Sequence, residues 1–239
     1  MIYFIGAGPG AKDLITVRGA KILSEAGMIV YAGSLVNHEL LDEYARPECE
    51  LHDSSGLTLD EILALLVRGH EENIITVRLH SGDPSIYGAV REQMSYLREK
   101  NIPFQVVPGV SSLFAAAASL KTEYMIPGVT QTLIISRIKG RTPSPENNAS
   151  AALFLSSGMI ERACDELIEL GYEPDTPAAV VYHASWPDEK IIRGTLSTLP
   201  ELSDGISKSA LILAGEFLDE SINSNSKLYD KNFSHEYRK

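Results

Sequence analysis

The sequence predicts an α/β protein with two domains, a parallel sheet in residues 1–122 and a mixed sheet in residues 123–239. Three observations support this fold class. In the first half, short β-branched runs alternate with helical patterns, which is typical of β-α-β units and a parallel sheet. In residues 176–196, two strand-like runs flank one turn, which indicates an antiparallel pair. The chain has 239 residues, which is enough for two cores of ordinary size.

Strand and helix patterns follow one another along the predicted first domain. Apolar runs indicate strands at residues 1–8, 28–33, 73–80 and 102–109. Helices are expected at residues 17–26, 38–44, 57–68, 86–99 and 111–120. Thr16 is suited to cap the first helix and Gly27 to end it. This order implies a largely parallel sheet with helices between its strands.

The predicted second domain begins near Tyr124 and has a more varied pattern. Besides the pair in residues 176–196, strands are expected at residues 131–138, 151–157 and 210–217. An amphipathic pattern predicts a helix over residues 159–170. Because one pair of these strands is antiparallel, we expect the sheet of the second domain to be mixed.

Composition excludes some classes of function. The net charge is −11, whereas a nucleic-acid partner requires clustered Lys and Arg. Cys49 and Cys164 are far apart and form no metal-binding pattern, so no metal site is expected. No run reaches the ~18 apolar residues of a membrane span. The start has no basic leader, so we expect no membrane contact and a cytoplasmic location.

A glycine-rich turn follows the first strand. Residues 6–11, GAGPGA, match the G-x-G-x-x-G/A pattern of dinucleotide-binding turns. However, Pro9 has no N–H to offer a phosphate, and no acidic residue follows the second strand to hold a ribose. Both features disfavour NAD, although dinucleotide binding and a turn without a ligand stay open as alternatives. The glycines would let a ligand approach the backbone closely.

Two other strands of the first domain end in similar turns, SGDP at residues 81–84 and PGVSS at residues 108–112. Each turn taken alone is ordinary. Open parallel sheets, however, bind ligands at the carboxyl edge of their strands. We therefore predict a ligand site at the edge where the three turns lie.

Five segments carry a resemblance to known enzymes: GAGPGAKDLITVRG, YAGSLV, VRLHSGDPSIYGA, VVPGVSS and YHASWPDEKIIRGTL. In this order they are similar to the tetrapyrrole methyltransferase family. The segments IPGVTQT and SRIKGRTPSPE resemble the branch that methylates precorrin-4 or cobalt-precorrin-4 at C11 in cobalamin biosynthesis. The resemblance implies the two-domain class III methyltransferase fold, a homodimer, a tetrapyrrole substrate and the cofactor S-adenosyl-L-methionine in the cleft between the domains.

The resemblance also assigns a cofactor site. Its residues are Pro9, Ser81, Gly82, Asp83, Ile86, Ser111, Ser112, Ser156, Ala184, Leu213 and Ala214. Ser81 stands where the family often has glycine. Asp83 would bind the amino group or ribose of the cofactor, or it would only cap the following helix. No catalytic residue is assigned, because the sulfonium is already an activated leaving group and the protein mainly has to position the reactants.

Binding a polycarboxylate on an acidic protein requires a local cationic surface. The candidate substrate-binding residues are Gly8, Gly10, Arg137, Lys139, Arg141 and Trp186. The three basic residues would share one face of a strand, although a solvated charge run is the alternative. The two glycines would form a floor beside the macrocycle, and Trp186 would cover the macrocycle or fill a turn. Other family substrates (precorrin-3B, uroporphyrinogen III) and a non-catalytic tetrapyrrole carrier remain alternatives.

Overall fold

The computed structural model describes residues 1–138, 149–222 and 234. The chain divides into two compact units. Unit 1 comprises Met1–Ala115 and Ala184–Asp188, and unit 2 comprises Ala116–His183 and Glu189–Lys239. A short segment of the later chain thus belongs to unit 1. None of the helices in the described ranges combines the length and apolar character needed to cross a membrane.

Unit 1 is built around a five-stranded parallel sheet, as the sequence predicts. Its strands are β1 (Ile2–Gly6), β2 (Met28–Tyr31), β3 (Glu50–Asp53), β4 (Thr76–His80) and β5 (Phe104–Val107). Their order in the sheet is β3-β2-β4-β1-β5, with every pair parallel. The helices are α1 (Val17–Glu25), α2 (His38–Tyr44), α3 (Leu59–Glu71) and α4 (Arg91–Glu99). A further helix, α5 (Ser112–Leu120), begins in unit 1 and ends in unit 2.

Apolar layers cover both faces of this sheet, because alternate residues of each buried strand point to opposite faces. One layer joins the sheet to α1 and α2 and includes Ile5, Leu23, Ile29, Leu40 and Leu79. The other joins it to α3 and α4 and includes Phe4, Met28, Ile62, Leu66 and Leu97. The Thr16 side chain accepts a hydrogen bond from the Gly19 N–H at 3.1 Å, so the predicted cap of α1 is confirmed.

Unit 2 contains a mixed sheet of five strands, also as predicted. Its strands are β6 (Leu133–Ser136), β7 (Ser150–Leu153), β8 (Pro177–Tyr182), β9 (Lys190–Thr195) and β10 (Ala210–Ala214). The order is β6-β7-β10-β8-β9, in which only β6 and β7 pair in parallel. The helices α6 (Ile160–Glu169) and α7 (Leu199–Leu202) pack on one face through residues that include Ala163, Leu167, Leu199 and Ile212.

Several elements differ from the sequence prediction. Strand β7 ends at Leu153 rather than at residue 157, β10 ends at Ala214 rather than at residue 217, and the short helix α7 was not predicted. The elements β3, α4 and β6 differ as well. Strand β3, with the sequence ELHD, was not predicted, because it is an exposed edge strand without an apolar run. Helix α4 begins at Arg91 rather than at residue 86. Tyr87 and Ala89 have φ values of 53° and 47°, which no helix accommodates. Strand β6 ends at Ser136, two residues earlier than expected.

Candidate functional site

The carboxyl ends of three neighbouring strands form the centre of the candidate site in unit 1. Strand β1 lies between β4 and β5, so the turns that follow these strands meet at one edge of the sheet. The strand order also reverses here. After β1 the chain forms β2 and β3 on one side of that strand, and later it crosses to β5 on the other side. Ligands bind at such a switch point in open α/β sheets. The predicted meeting of the three turns is therefore confirmed.

The backbones of the three turns pack directly against one another. The Gly8 N–H donates to the Gly82 carbonyl at 3.3 Å, and the Gly82 N–H donates to the Gly8 carbonyl at 2.8 Å. A Cβ atom on Gly6 would lie 2.4 Å from the Gly82 carbonyl oxygen, and one on Gly109 would lie 2.2 Å from it. A side chain at either position is therefore excluded by backbone atoms that have no room to move.

Three N–H groups of the first turn are used inside unit 1. Ala7 donates to the His80 carbonyl at 2.7 Å, Gly8 donates to Gly82, and Ala11 donates to the Ser185 hydroxyl at 3.0 Å. Pro9 has no N–H group. A dinucleotide phosphate needs several free N–H groups in this turn, so the geometry disfavours the dinucleotide alternative.

Asp83 connects the second turn to the third. Its Oδ2 accepts from the Gly109 N–H at 2.8 Å, and its Oδ1 accepts from the Ser85 N–H at 2.8 Å and from the Ser85 hydroxyl. Burial raises the pKa of the Asp83 carboxyl, but the hydrogen bonds from Ser85 and Gly109 outweigh it and hold that pKa below its ordinary value. Asp83 is thus ionised at neutral pH and has a structural role whether or not it also binds a ligand.

The remaining cofactor candidates of unit 1 lie at the same turns. Ser111 is almost fully buried, and its hydroxyl accepts from the Leu113 N–H at 3.2 Å at the start of α5. A Cβ on Gly82, which has a φ of 62°, would lie 3.7 Å from the Ser111 Cα and 3.8 Å from the Ser112 N. The Ile86 N–H donates to the Asp83 carbonyl at 3.3 Å. Ser81 has no left-handed φ, so a serine causes no strain where the family often has glycine.

Trp186 packs on the first glycine turn. Its Nε1–H donates to the Pro9 carbonyl at 3.0 Å, and a Cβ on Gly10 would lie 2.0 Å from its ring. Ala184 precedes this segment and is buried, and Ser185 accepts from Ala11. In unit 1 the indole ring therefore occupies the space over Gly10, which requires that Gly10 have no side chain.

The other candidates belong to unit 2 or lie outside the described residues. Ser156 is fully buried, accepting from the Ile138 N–H at 3.1 Å and donating to the Phe154 carbonyl at 2.8 Å. Leu213 and Ala214 are fully buried within β10. Arg137 is exposed and follows the end of β6, so strand alternation does not extend to it. The other two predicted basic residues, Lys139 and Arg141, lie outside the described residues.

Sequence reasoning missed two residues that shape the first turn. The Asn37 Nδ2–H donates to the Gly10 carbonyl at 3.1 Å, while its Oδ1 accepts from the Glu39 N–H at 3.0 Å at the start of α2. Ser185 accepts from Ala11. Asn37 has the pattern of a helix cap before HELLDEY, and that pattern was the available signal. Nothing local to Ser185 indicates its distant partner.

An open cavity of about 640 Å³ lies in unit 2, beside α6 and α7. Four carboxylate residues line it, namely Glu161, Asp165, Glu201 and Asp204, and none of the lining residues within the described ranges is Lys or Arg. Like charges repel a polycarboxylate ligand, so this cavity does not suit one.

Comparison with known proteins shows which family the chain is similar to. The family model of the Tetrapyrrole (Corrin/Porphyrin) Methylases matches residues 1–200. The cobalt-precorrin-4 C(11)-methyltransferase of Methanocaldococcus jannaschii is 50% identical, over 100% of this chain and 96% of the relative. The enzyme of that name from Priestia megaterium is 44% identical, over 100% of this chain and 97% of the relative.

Solved structures agree with the sequence comparison. The X-ray structure of a cobalamin biosynthetic enzyme, cobalt precorrin-4 methyltransferase, has a TM-score of 0.85 and 44% identity, covering 91% of this chain and 95% of that one. Uroporphyrin-III C-methyl transferase from Thermus thermophilus, complexed with S-adenosyl homocysteine, has a TM-score of 0.78 and 28% identity, covering 91% and 93%. The predicted fold class is confirmed, and the chain belongs to the tetrapyrrole (corrin/porphyrin) methylases.

Proposed function

We propose that this protein transfers a methyl group from S-adenosyl-L-methionine to C11 of cobalt-precorrin-4 or precorrin-4, in cobalamin biosynthesis. One observation carries the assignment: relatives with this printed activity are 50% and 44% identical to the chain over its whole length. The uroporphyrin-III enzyme, in contrast, is 28% identical. The C11 branch is therefore favoured over the other substrates of the family.

The turns of unit 1 have the chemistry of an S-adenosyl-L-methionine site. Glycine and serine residues make up much of these turns, so few large side chains stand between a ligand and the backbone there. The Asp83 carboxylate is ionised at neutral pH. Its Oδ2 accepts one hydrogen bond, from Gly109, and keeps a second lone pair for a ligand, whereas Oδ1 already accepts twice from Ser85. An anionic acceptor suits the ammonium group or the ribose hydroxyls of the cofactor.

The cofactor supplies an activated methyl group on a sulfonium, so the chain's own residues mainly position the reactants and exclude water. The rigid packing of Gly6, Gly82 and Gly109 fixes the edge on which the cofactor binds. Positioning of this kind supplies up to ~7–11 kcal/mol of a barrier in favourable systems. Deprotonation of the methylated ring requires a base that the described geometry does not identify, and we assign none.

Three further parts belong to the proposal. Ser156, Ala184, Leu213 and Ala214 are proposed to complete the cofactor site. The substrate carboxylates are proposed to meet Arg137, Lys139 and Arg141, with Gly8, Gly10 and Trp186 beside the macrocycle. The protein is further proposed to be a cytoplasmic homodimer with domains at residues 1–122 and 123–239.

Methylation of defined substrates tests the proposed function. The purified protein, with S-adenosyl-L-methionine, is incubated separately with cobalt-precorrin-4, precorrin-4, precorrin-3B and uroporphyrinogen III. We expect one added methyl group on a precorrin-4 substrate, located at C11 by NMR, and none on the other two. Methylation of uroporphyrinogen III or precorrin-3B instead would assign the protein to another branch.

Calorimetry separates an enzyme from a carrier. We expect saturable binding of S-adenosylhomocysteine and no binding of NADH. A protein that binds the tetrapyrrole but not S-adenosylhomocysteine would be a carrier, and the enzymatic proposal would be wrong.

A further inference from the structure

Three polar side chains are buried on the face of the unit 1 sheet that α3 and α4 cover. Arg78 and His80 lie two residues apart on β4, so both point to this face. The His80 ring stacks on Phe4 there, with 6.0 Å between the ring centroids. Gln93 lies on α4, one turn before the core residue Leu97. The exposed fractions of Arg78, His80 and Gln93 are only 6%, 5% and 3%.

Each of these side chains keeps one buried polar atom without a hydrogen-bond partner. Arg78 donates from Nη1 to the Val30 carbonyl at 3.1 Å, but its Nε–H has no acceptor. Gln93 donates from Nε2 to the Ala89 carbonyl at 3.0 Å, but its Oε1 has no donor. The Nε2 of His80 also has no partner. Buried polar atoms are nearly always satisfied in folded proteins, by protein groups or by ordered water.

His80 is in its neutral form, and its free nitrogen is an acceptor. The pKa of His80 is lowered to about 3, mainly by burial and also by the neighbouring Arg78, while a hydrogen bond with the Gly88 backbone acts against both. Since Nε2 is the unpartnered nitrogen, the ring uses Nδ1–H to donate to the Gly88 carbonyl. In a neutral imidazole the second nitrogen then accepts.

The unsatisfied atoms complement one water molecule. Arg78 offers one donor, while His80 and Gln93 offer one acceptor each. A single water molecule can accept from Arg78 and donate one hydrogen atom to each of the other two side chains. The His80 and Gln93 side chains are also brought together, because they bond to the adjacent residues Gly88 and Ala89. Internal waters typically make two to four hydrogen bonds of this kind. We infer that Arg78, His80 and Gln93 enclose a bound water molecule, and that His80 is thereby a positioning residue for the turn at residues 81–83.

The location of the network explains the positioning role. His80 directly precedes the Ser81-Gly82-Asp83 turn, and its carbonyl accepts from Ala7 in the first turn at 2.7 Å. The segment 84–90 returns to the core in a strained path, with left-handed φ values at Tyr87 and Ala89. The His80 and Gln93 side chains stabilise this path by hydrogen bonds to the Gly88 and Ala89 carbonyls. This role rests on the proposed function, because it is through these turns that the cofactor is bound.

A crystal structure that resolves ordered water tests the inferred water site directly. We expect a solvent peak within hydrogen-bond distance of at least two of the three atoms: Arg78 Nε, His80 Nε2 and Gln93 Oε1. Well-ordered side chains that pair directly with one another, with no solvent peak between them, would overturn the inference. This measurement does not depend on activity, so it stands even if the proposed function fails.

Matched variants test the positioning role. His80→Phe keeps a ring against Phe4 but removes both hydrogen bonds, and His52→Phe makes the same exchange on the edge strand β3. We expect His80→Phe to raise the dissociation constant of S-adenosylhomocysteine about tenfold, and His52→Phe to leave it within about twofold. His80→Asn, which can still donate to the Gly88 carbonyl, should recover part of the loss.

A second variant covers the case in which His80→Phe does not fold. Gln93→Leu removes the other half of the network, and a smaller loss of affinity in the same direction is expected. If either folded variant has a lower melting temperature but wild-type affinity for S-adenosylhomocysteine, the network is merely structural and the positioning role is wrong. If the wild-type protein itself does not bind S-adenosylhomocysteine, it is the proposed function that fails.

Discussion

At the residue scale, glycines of the three turns are fixed by packing between the turns, a structural role that sequence reasoning did not assign to them. Gly6 and Gly109 are required because the Gly82 carbonyl occupies the space of their side chains. Gly8 combines a φ of 85° with a Cβ position 2.9 Å from the Leu14 carbonyl oxygen. A valine at Gly8 would therefore disturb folding as well as any ligand, which makes it a poor test of a ligand floor. Packing between distant turns cannot be read from a local pattern, so the sequence did not predict these contacts.

The glycines provide a first prediction at this scale. Gly6→Ala and Gly109→Ala should each lower the free energy of unfolding by about 1–3 kcal/mol or more, because the added methyl group meets backbone atoms. Gly56→Ala is the matched control, since no atom lies within 4 Å of its Cβ position. Urea denaturation measures the three values. Equal stabilities for all three variants would contradict the close packing of the turns.

Asp83 provides a second prediction, for both binding and pH. Asp83→Asn should weaken S-adenosylhomocysteine binding about tenfold, through loss of a charged acceptor, and change tetrapyrrole binding less. Because the folded-state pKa lies below the ordinary 3.8, ionised Asp83 stabilises the fold above that value and loses this contribution as the pH falls through the folded-state pKa. The variant should therefore lose less stability on acidification than the wild type.

Calorimetry at neutral pH and urea denaturation at several acidic pH values measure the two effects of Asp83→Asn. Asp42→Asn, at an exposed position of α2, is the control. A variant that weakens tetrapyrrole binding more than cofactor binding would make Asp83 a substrate contact. An acid-stability profile like that of the wild type would show that the hydrogen bonds from Ser85 and Gly109 do not depend on the charge.

At the scale of elements, the alternation of strands and helices was predictable and the irregular segments were not. Apolar runs located β1, β2, β4 and β5, because buried parallel strands are continuously apolar. The edge strand β3 has no such run. Residues 86–90 were predicted to begin a helix, but Tyr87 and Ala89 have left-handed φ values there. The segment Ala184–Asp188 joins unit 1 through partners more than 170 residues away, which no local pattern indicates.

The segment Ala184–Asp188 provides the prediction at this scale. Trp186→Phe keeps a ring over Gly10 but loses the hydrogen bond to the Pro9 carbonyl, so it should lower the free energy of unfolding by about 0.5–1.5 kcal/mol. Trp186→Ala should lower it further, because the space over Gly10 is then open. Tyr96→Phe on α4 is the control for loss of a polar group. If Trp186→Phe is as stable as Tyr96→Phe, the indole does not anchor the turn.

At the scale of the whole molecule, the composition predicts which classes of partner are disfavoured, and the charge has a further effect. The chain carries a net charge of −11, while the proposed substrate is a polycarboxylate and the proposed cofactor is a cation. Long-range attraction therefore assists one reactant and opposes the other. The family came from the combination of motifs along the chain, because each glycine turn alone is common.

Opposite salt effects are the prediction at this scale. Between about 0.01 M and 0.15 M salt the Debye length falls from about 30 Å to about 8 Å. Across this range, kcat/KM for the tetrapyrrole should rise about twofold or more, while kcat/KM for S-adenosyl-L-methionine should fall. Steady-state kinetics at fixed pH measures both. If salt instead lowers kcat/KM for the tetrapyrrole, a local cationic surface governs its approach and the overall charge does not.

The chain contains a single tryptophan, and it lies directly on the first glycine turn. All indole fluorescence of the protein therefore originates within hydrogen-bond distance of Pro9, a few residues from the strand edge. An optical signal from this one fluorophore reports on that turn without labelling, and a ligand that reorders the turn changes its emission in real time.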